Sequence, residues 1–197
     1  MELPERDRAV LTAFDLYRNA VTDRDGETAV AKASRRTLEY YELVRRAALF
    51  MKEEEVHKLD YMDRFFILMI RARLDAETLS YMDGAALFEH GVREGWTSQS
   101  ATQLTDINRI RFSDDRAICT FSTTTGMNAD MVLWLEDGEW KIDFAPVLKA
   151  ISNHFEENVP DHEKQDELIF KLIREAVGHP VTADLWQPLV PPPGTGV

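Results

Sequence analysis

Apolar residues recur every three or four positions through the first half of the chain. Val10, Phe14, Tyr17 and Val21 share one face, which predicts a first helix over residues 5–22, opened by Pro4 and Glu5. The run Asp-Arg-Asp-Gly at 23–26 reads as a turn that also caps the next helix. A second helical region spans about 27–51, with a break near Ser34 and a wide stripe of Tyr40, Leu43, Val44, Ala47, Phe50 and Met51. KEEEVHK (52–58) reads as a solvated link. Residues 59–74 are apolar almost all round and predict a central helix. Asp75 and Asp83 are placed to cap two short helices, the second ending near Gly95.

The period then falls to two. Residues 107–112 and 117–124 alternate apolar with polar across Asp114-Asp115, and 130–136 and 139–144 do so across Asp137-Gly138. Asp-Gly suits a two-residue hairpin, because both positions tolerate positive φ. That turn sets Leu135 opposite Trp140, Leu133 opposite Ile142 and Met131 opposite Phe144, an apolar face. The other face carries Trp134 beside Lys141 and Val132 beside Asp143. In the earlier pair of strands Ile110, Phe112, Cys119 and Phe121 fall on the core face. Helices resume at about 146–157 and 161–177, where Gly178 and Pro180 stop the second. The expectation is an α+β protein: an antiparallel meander with helices on one side. One domain covers residues 1–180, and 181–197 form an extended proline-rich tail.

Composition narrows the function classes. The chain has 197 residues, 44% hydrophobic and 29% charged, with net charge -12 and pI near 4.9. A polyanion gains nothing from counterion release, so nucleic acid is an unfavourable partner, and an anionic membrane is disfavoured for the same reason. The longest apolar run, FFILMI at 65–70, is too short to span a bilayer, and MELPERDRAV lacks the apolar stretch of a secretory signal, so the expectation is a cytoplasmic protein. A single cysteine, Cys119, excludes an internal disulfide framework. The five histidines show no HExxH or i, i+4 pair, and no GxSxG, Walker loop or GxGxxG is present, so neither a metal nor a cofactor is expected.

The order of these motifs resembles the nuclear transport factor 2-like superfamily, the cystatin-like cone fold. The resemblance rests on FDLYRNAVTDRDGE (14–27), LSYMDGAALFEHGVREGW (79–96) and WLEDGEWKIDF (134–144), and covers about 7–148. It implies a curved sheet with helices closing one end. Residues 34–75 depart from it, with helix where simpler members carry early strands, and a helical extension follows at 146–178. Such folds host isomerases, dehydratases, cyclases and non-enzymatic partner-binding domains, so fold does not choose among them.

The resemblance places Tyr17 where ketosteroid isomerases carry an oxyanion-stabilising tyrosine, but no residue matches their aspartate base. The preferred reading of Tyr17 from its helical stripe is a core tyrosine with a satisfied hydroxyl. Tyr40 and Tyr41 are adjacent, so at most one lines a cavity, and Tyr41 is taken as the candidate. Asn108 precedes Ile110 by two and so points inward, unless it is a solvent-facing strand end. Arg71 and Arg73 interrupt an apolar helix; each either snorkels or, if buried, requires an acid or a bound anion. Trp140 is core or ligand contact. The candidate ligand set is therefore Tyr17, Tyr41, Arg73, Asn108 and Trp140, around a small apolar molecule. No catalytic residue is assigned. Trp134 and Lys141 mark the outer sheet face as a homodimer surface.

Overall fold

The computed structural model describes residues 4–96, 106–122 and 128–191. The fold is α+β, helices packed with a four-stranded antiparallel sheet in the order β1-β2-β3-β4. The elements are α1 (Glu5–Thr22), α2 (Gly26–Lys32), α3 (Arg35–Phe50), α4 (Glu53–Val56), α5 (Tyr61–Arg73), α6 (Ala76–Ser80) and α7 (Gly84–Arg93). The strands β1 (Asp106–Ser113), β2 (Arg116–Ser122), β3 (Asn128–Glu136) and β4 (Glu139–Asp143) follow. Then come α8 (Ala145–Asn158), α9 (His162–Val177) and a 3-10 turn at Ala183–Trp186. The sequence reading treats 1–180 as one domain; the chain gathers into two compact units, Met1–Tyr41 with Ala85–Val147, and Glu42–Gly84 with Leu148–Val197.

The first unit is the sheet and the helices against it. Val10, Ala13, Phe14, Tyr17, Ala20 and Val21 form the buried stripe of α1, and α1 packs on β4 and α2. Asp25 caps α2 by accepting from Thr28 N at 3.0 Å. The hairpin has the register that its Asp-Gly turn dictates: Leu135 pairs with Trp140, Trp134 with Lys141, Leu133 with Ile142, and Val132 with Asp143. Asp137 and Gly138 take φ of 52° and 83°. Ala117, Cys119, Phe121, Met131, Leu133, Trp140 and Ile142 are buried. Leu135, at the rim of this face, is exposed.

The break expected near Ser34 serves the sheet. Ala33 forms a parallel bridge with Ile142, and Ser34 N donates to Ile142 O at 2.8 Å. Thr37 Oγ1 donates to the same carbonyl at 2.9 Å and accepts from Phe144 N at 3.1 Å. The junction between α2 and α3 thus occupies the outer edge of β4.

The second unit is helical. α5 packs on α9 and on the 3-10 turn. Asp75 caps α6, accepting from Thr78 N at 2.7 Å, and Asp161 caps α9, accepting from Glu163 N at 3.0 Å. Gly178 closes α9 in the left-handed region, φ 75°. Two sequence expectations need correction here. KEEEVHK is not only a solvated link: α4 forms within it and Val56 is fully buried. The segment after 181 is not simply extended: it makes a 3-10 turn, buries Trp186, and donates from Leu189 N and Val190 N to Ala48 O and Leu49 O. No helix of the described residues is long and apolar enough to cross a membrane.

Candidate functional site

On the inner side of the sheet unit, α1 and α3 bring two of the predicted site residues together. Tyr17 and Tyr41 are both buried. The Tyr17 ring lies 5.0 Å from Phe144, Phe144 lies 6.5 Å from Phe88, and Phe88 meets Tyr41 edge-on at 4.8 Å. Burial raises the Tyr17 hydroxyl well above its ordinary pKa, with Tyr41 nearby adding to the effect, and burial raises Tyr41 in the same way. At neutral pH both are therefore protonated donors in an aromatic nest. Neither is a base or a nucleophile there.

Trp140 is buried, four residues before Phe144, with its ring 5.8 Å from Phe112. The Arg6 guanidinium, from the first turn of α1, lies 4.3 Å over Phe112 and 5.5 Å from Trp140. Cys119 is fully buried, and desolvation, reinforced by Asp130 and Asp7, pushes its thiol up to about 12.

Of its two sequence readings, Asn108 takes the solvent-facing one, by way of a bulge. The β1–β2 register slips between Ile107 and Arg109, so that Ile107 pairs with Phe121 but Arg109 pairs with Thr120. Asn108 is the extra residue of this bulge, and it is exposed. The i, i+2 rule that pointed it inward fails across a bulge.

The outer face forms a grid of three rows. Arg109, Thr120 and Asp130 make the first; Arg111, Ile118, Val132 and Asp143 the second; Arg116, Trp134 and Lys141 the third. Trp134 Nε1 donates to Asp143 Oδ2 at 3.0 Å, while Oδ1 accepts from Ala145 N at 3.0 Å at the start of α8. Arg36 lies 4.4 Å over the Trp134 ring and Arg116 lies 5.8 Å from it. Lys141 Nζ donates to Ala31 O at 2.6 Å and pairs with Glu139 at 3.5 Å. The two residues marked for a homodimer surface are thus held by their own chain.

Arg73, the remaining predicted site residue, belongs to the helical unit, where Nη2 donates to Ala176 O at 2.9 Å. Its neighbour Arg71 is buried and satisfies neither sequence reading: no acid and no snorkelling. Nε donates to Ala48 O at 3.0 Å, Nη2 to Ala47 O at 3.0 Å and Met51 O at 2.6 Å, and Nη1 to Leu185 O at 3.1 Å and Trp186 O at 2.7 Å. All five N–H donors go to backbone carbonyls. Two of those carbonyls, Ala47 and Ala48, belong to the last turn of α3 and a third, Met51, directly follows it, at a helix end where a cation is favoured by the dipole. Burial lowers the guanidinium pKa to about 10.

Arg64, also buried, pairs with Asp166 and donates to Gln165 Oε1. His57 Nδ1 lies 3.4 Å from Asp166, and the His57 ring stacks on Trp186 at 4.0 Å. Desolvation raises the Asp166 carboxyl, with Arg64 and His57 opposing it. A signal for this cluster exists in the sequence: Tyr61, Arg64, Leu68 and Arg71 follow one helical stripe, and so do Gln165, Ile169 and Ile173. Among the described residues no group of three or more His, Cys, Asp or Glu could hold a metal ion.

No family model, curated protein or solved structure matches this chain.

Proposed function

We propose that this chain is a non-enzymatic binding module related to the nuclear transport factor 2-like superfamily, and that its contact surface is the outer face of the sheet. One observation carries the reading: Trp134 is fixed by Asp143 and flanked by Arg36 and Arg116 on a face where Arg109 and Arg111 are exposed. An oriented indole among arginines is the composition of a protein contact rather than of a solvated surface. The packing of Tyr17 against Phe144 supports the same reading, since the chain's own rings occupy the space beside it.

A second reading is favoured by the tyrosine pair. Two protonated hydroxyls in one aromatic nest are the donors that an isomerase or dehydratase uses on a small apolar molecule with a developing oxyanion. Native mass spectrometry followed by denaturation separates the two. The expected result is a chain that releases no small molecule and whose self- or partner-association is lost in Trp134→Ala. A released apolar metabolite, together with a turnover abolished by Tyr17→Phe, overturns the binding-module reading.

A further inference from the structure

We infer that the outer sheet face takes an extended acidic segment of another protein, laid across the rows of Arg109, Arg111 and Arg116. This rests on the binding-module reading and names the partner's chemistry.

The chain carries a net charge of -12, yet this face concentrates cations. Its acids are already engaged. Asp143 is buried and holds Trp134 and Ala145; Glu139 pairs with Lys32 at 3.1 Å and with Lys141; Asp130 pairs with Arg111 at 3.1 Å; Glu136, opposite Glu139, accepts from Arg35 N at 3.1 Å. Arg36, Arg109 and Arg116 have no carboxylate within ion-pair distance among the described residues. Arg36 and Arg109 are exposed. An arginine fork satisfies its donors best with a carboxylate.

Geometry gives the form of the partner. Successive rows of the grid are two residues apart along each strand, about 6.8 Å. Carboxylates on alternate residues of an extended segment recur at the same spacing. Such a segment follows β1 over Arg109 and Arg111 and then crosses the next row toward Arg116, which pairs with Ser113 one strand over; Trp134 lies beside Arg116 in that row, where an apolar side chain packs on the indole between the guanidinia. A second copy docking face to face is the weaker occupant, because its two-fold axis brings this cationic surface against itself.

The test is fluorescence anisotropy of a labelled ten-residue peptide alternating glutamate with valine, with the lysine–valine peptide as control. The intact chain is expected to bind the first and not the second, with affinity falling as salt rises. Arg109→Glu and Arg116→Glu are each expected to weaken binding about tenfold or more. Arg109 is exposed, so its variant keeps the fold, checked by far-UV circular dichroism. Absence of binding by the folded chain overturns the inference, as does binding that neither variant changes. A dimer that dissociates in Arg116→Glu without any peptide binding assigns the face to a second copy; that result overturns the acidic occupant and leaves the binding-module reading standing. A metabolite turned over by the chain overturns that reading instead.

Discussion

Arg71 donates to the carbonyl of Trp186 at 2.7 Å across 115 residues of sequence. The same guanidinium holds the end of α3 through Ala47 and Ala48 and the following Met51, so one side chain ties the 3-10 turn to a helix end. Arg71→Met leaves five carbonyls without this donor set. The expected cost is roughly 3–5 kcal/mol. Arg71→Lys recovers only part of it, since an ammonium offers three donors without the planar fork. Urea unfolding checks the magnitude. Limited proteolysis checks the place: cleavage between 178 and 190 should appear in the variants before it appears in the parent chain.

Alkaline pH should unfold the chain. Tyr61 is raised to about 12 and Cys119 to about 12 by burial, and Tyr17 and Tyr41 are raised as well. In the unfolded chain the same groups lose their protons near 9 to 10. Every one of these folded pKa values is raised, so the stability is whole below about pH 9 and is lost progressively as pH climbs toward 12. Urea midpoints measured from pH 8 to 11 should fall. Tyrosinate absorbance from Tyr17, Tyr41 and Tyr61 should appear with unfolding, and Cys119 should react with a thiol reagent only then.

Asp143→Ala removes an acceptor from two donors at once, the Trp134 indole and the Ala145 amide. About 2 kcal/mol of stability should go with it. Asp143→Asn keeps a side-chain oxygen and should lose less. The near-ultraviolet circular dichroism of Trp134 should weaken in the alanine variant and persist in the asparagine one.

Gly26→Ala tests how closely α2 approaches α7. A Cβ at Gly26 would stand 2.7 Å from the Glu89 carbonyl oxygen and 2.6 Å from its Cγ. The backbone oxygen cannot swing aside, so overpacking should cost about 1–3 kcal/mol. Thermal unfolding reads this directly. An unchanged midpoint would mean that α2 shifts freely.

Much of the fold is legible where local chemistry dictates it. The first helix begins and ends at Glu5 and Thr22, as its apolar stripe predicts, and the Asp137-Gly138 turn fixes the hairpin register residue by residue. The sequence leaves Asn108 between an inward and a solvent-facing position, because the bulge that turns it outward leaves no mark in an alternating pattern. Arg71 escapes it because its partners are backbone carbonyls, which no pairing of side-chain types reveals. Trp134 and Lys141 do stand side by side, yet what they touch, Asp143 on β4 and Ala31 on α2, is not written in the pairing of the two strands.

The bridge from Ala33 to Ile142 also bears on how the chain behaves in company. A bare final strand is a template on which other strands crystallise into fibrils. Here Ser34 and Thr37 already occupy the Ile142 carbonyl, and Lys141 reaches back to Ala31. A chain clipped by a protease before Arg35, once its N-terminal piece departs, would keep the hairpin and Thr37 but lose the Ala33 bridge, the Ser34 donor and the Ala31 acceptor. Such a fragment is the form in which this protein would be prone to aggregate.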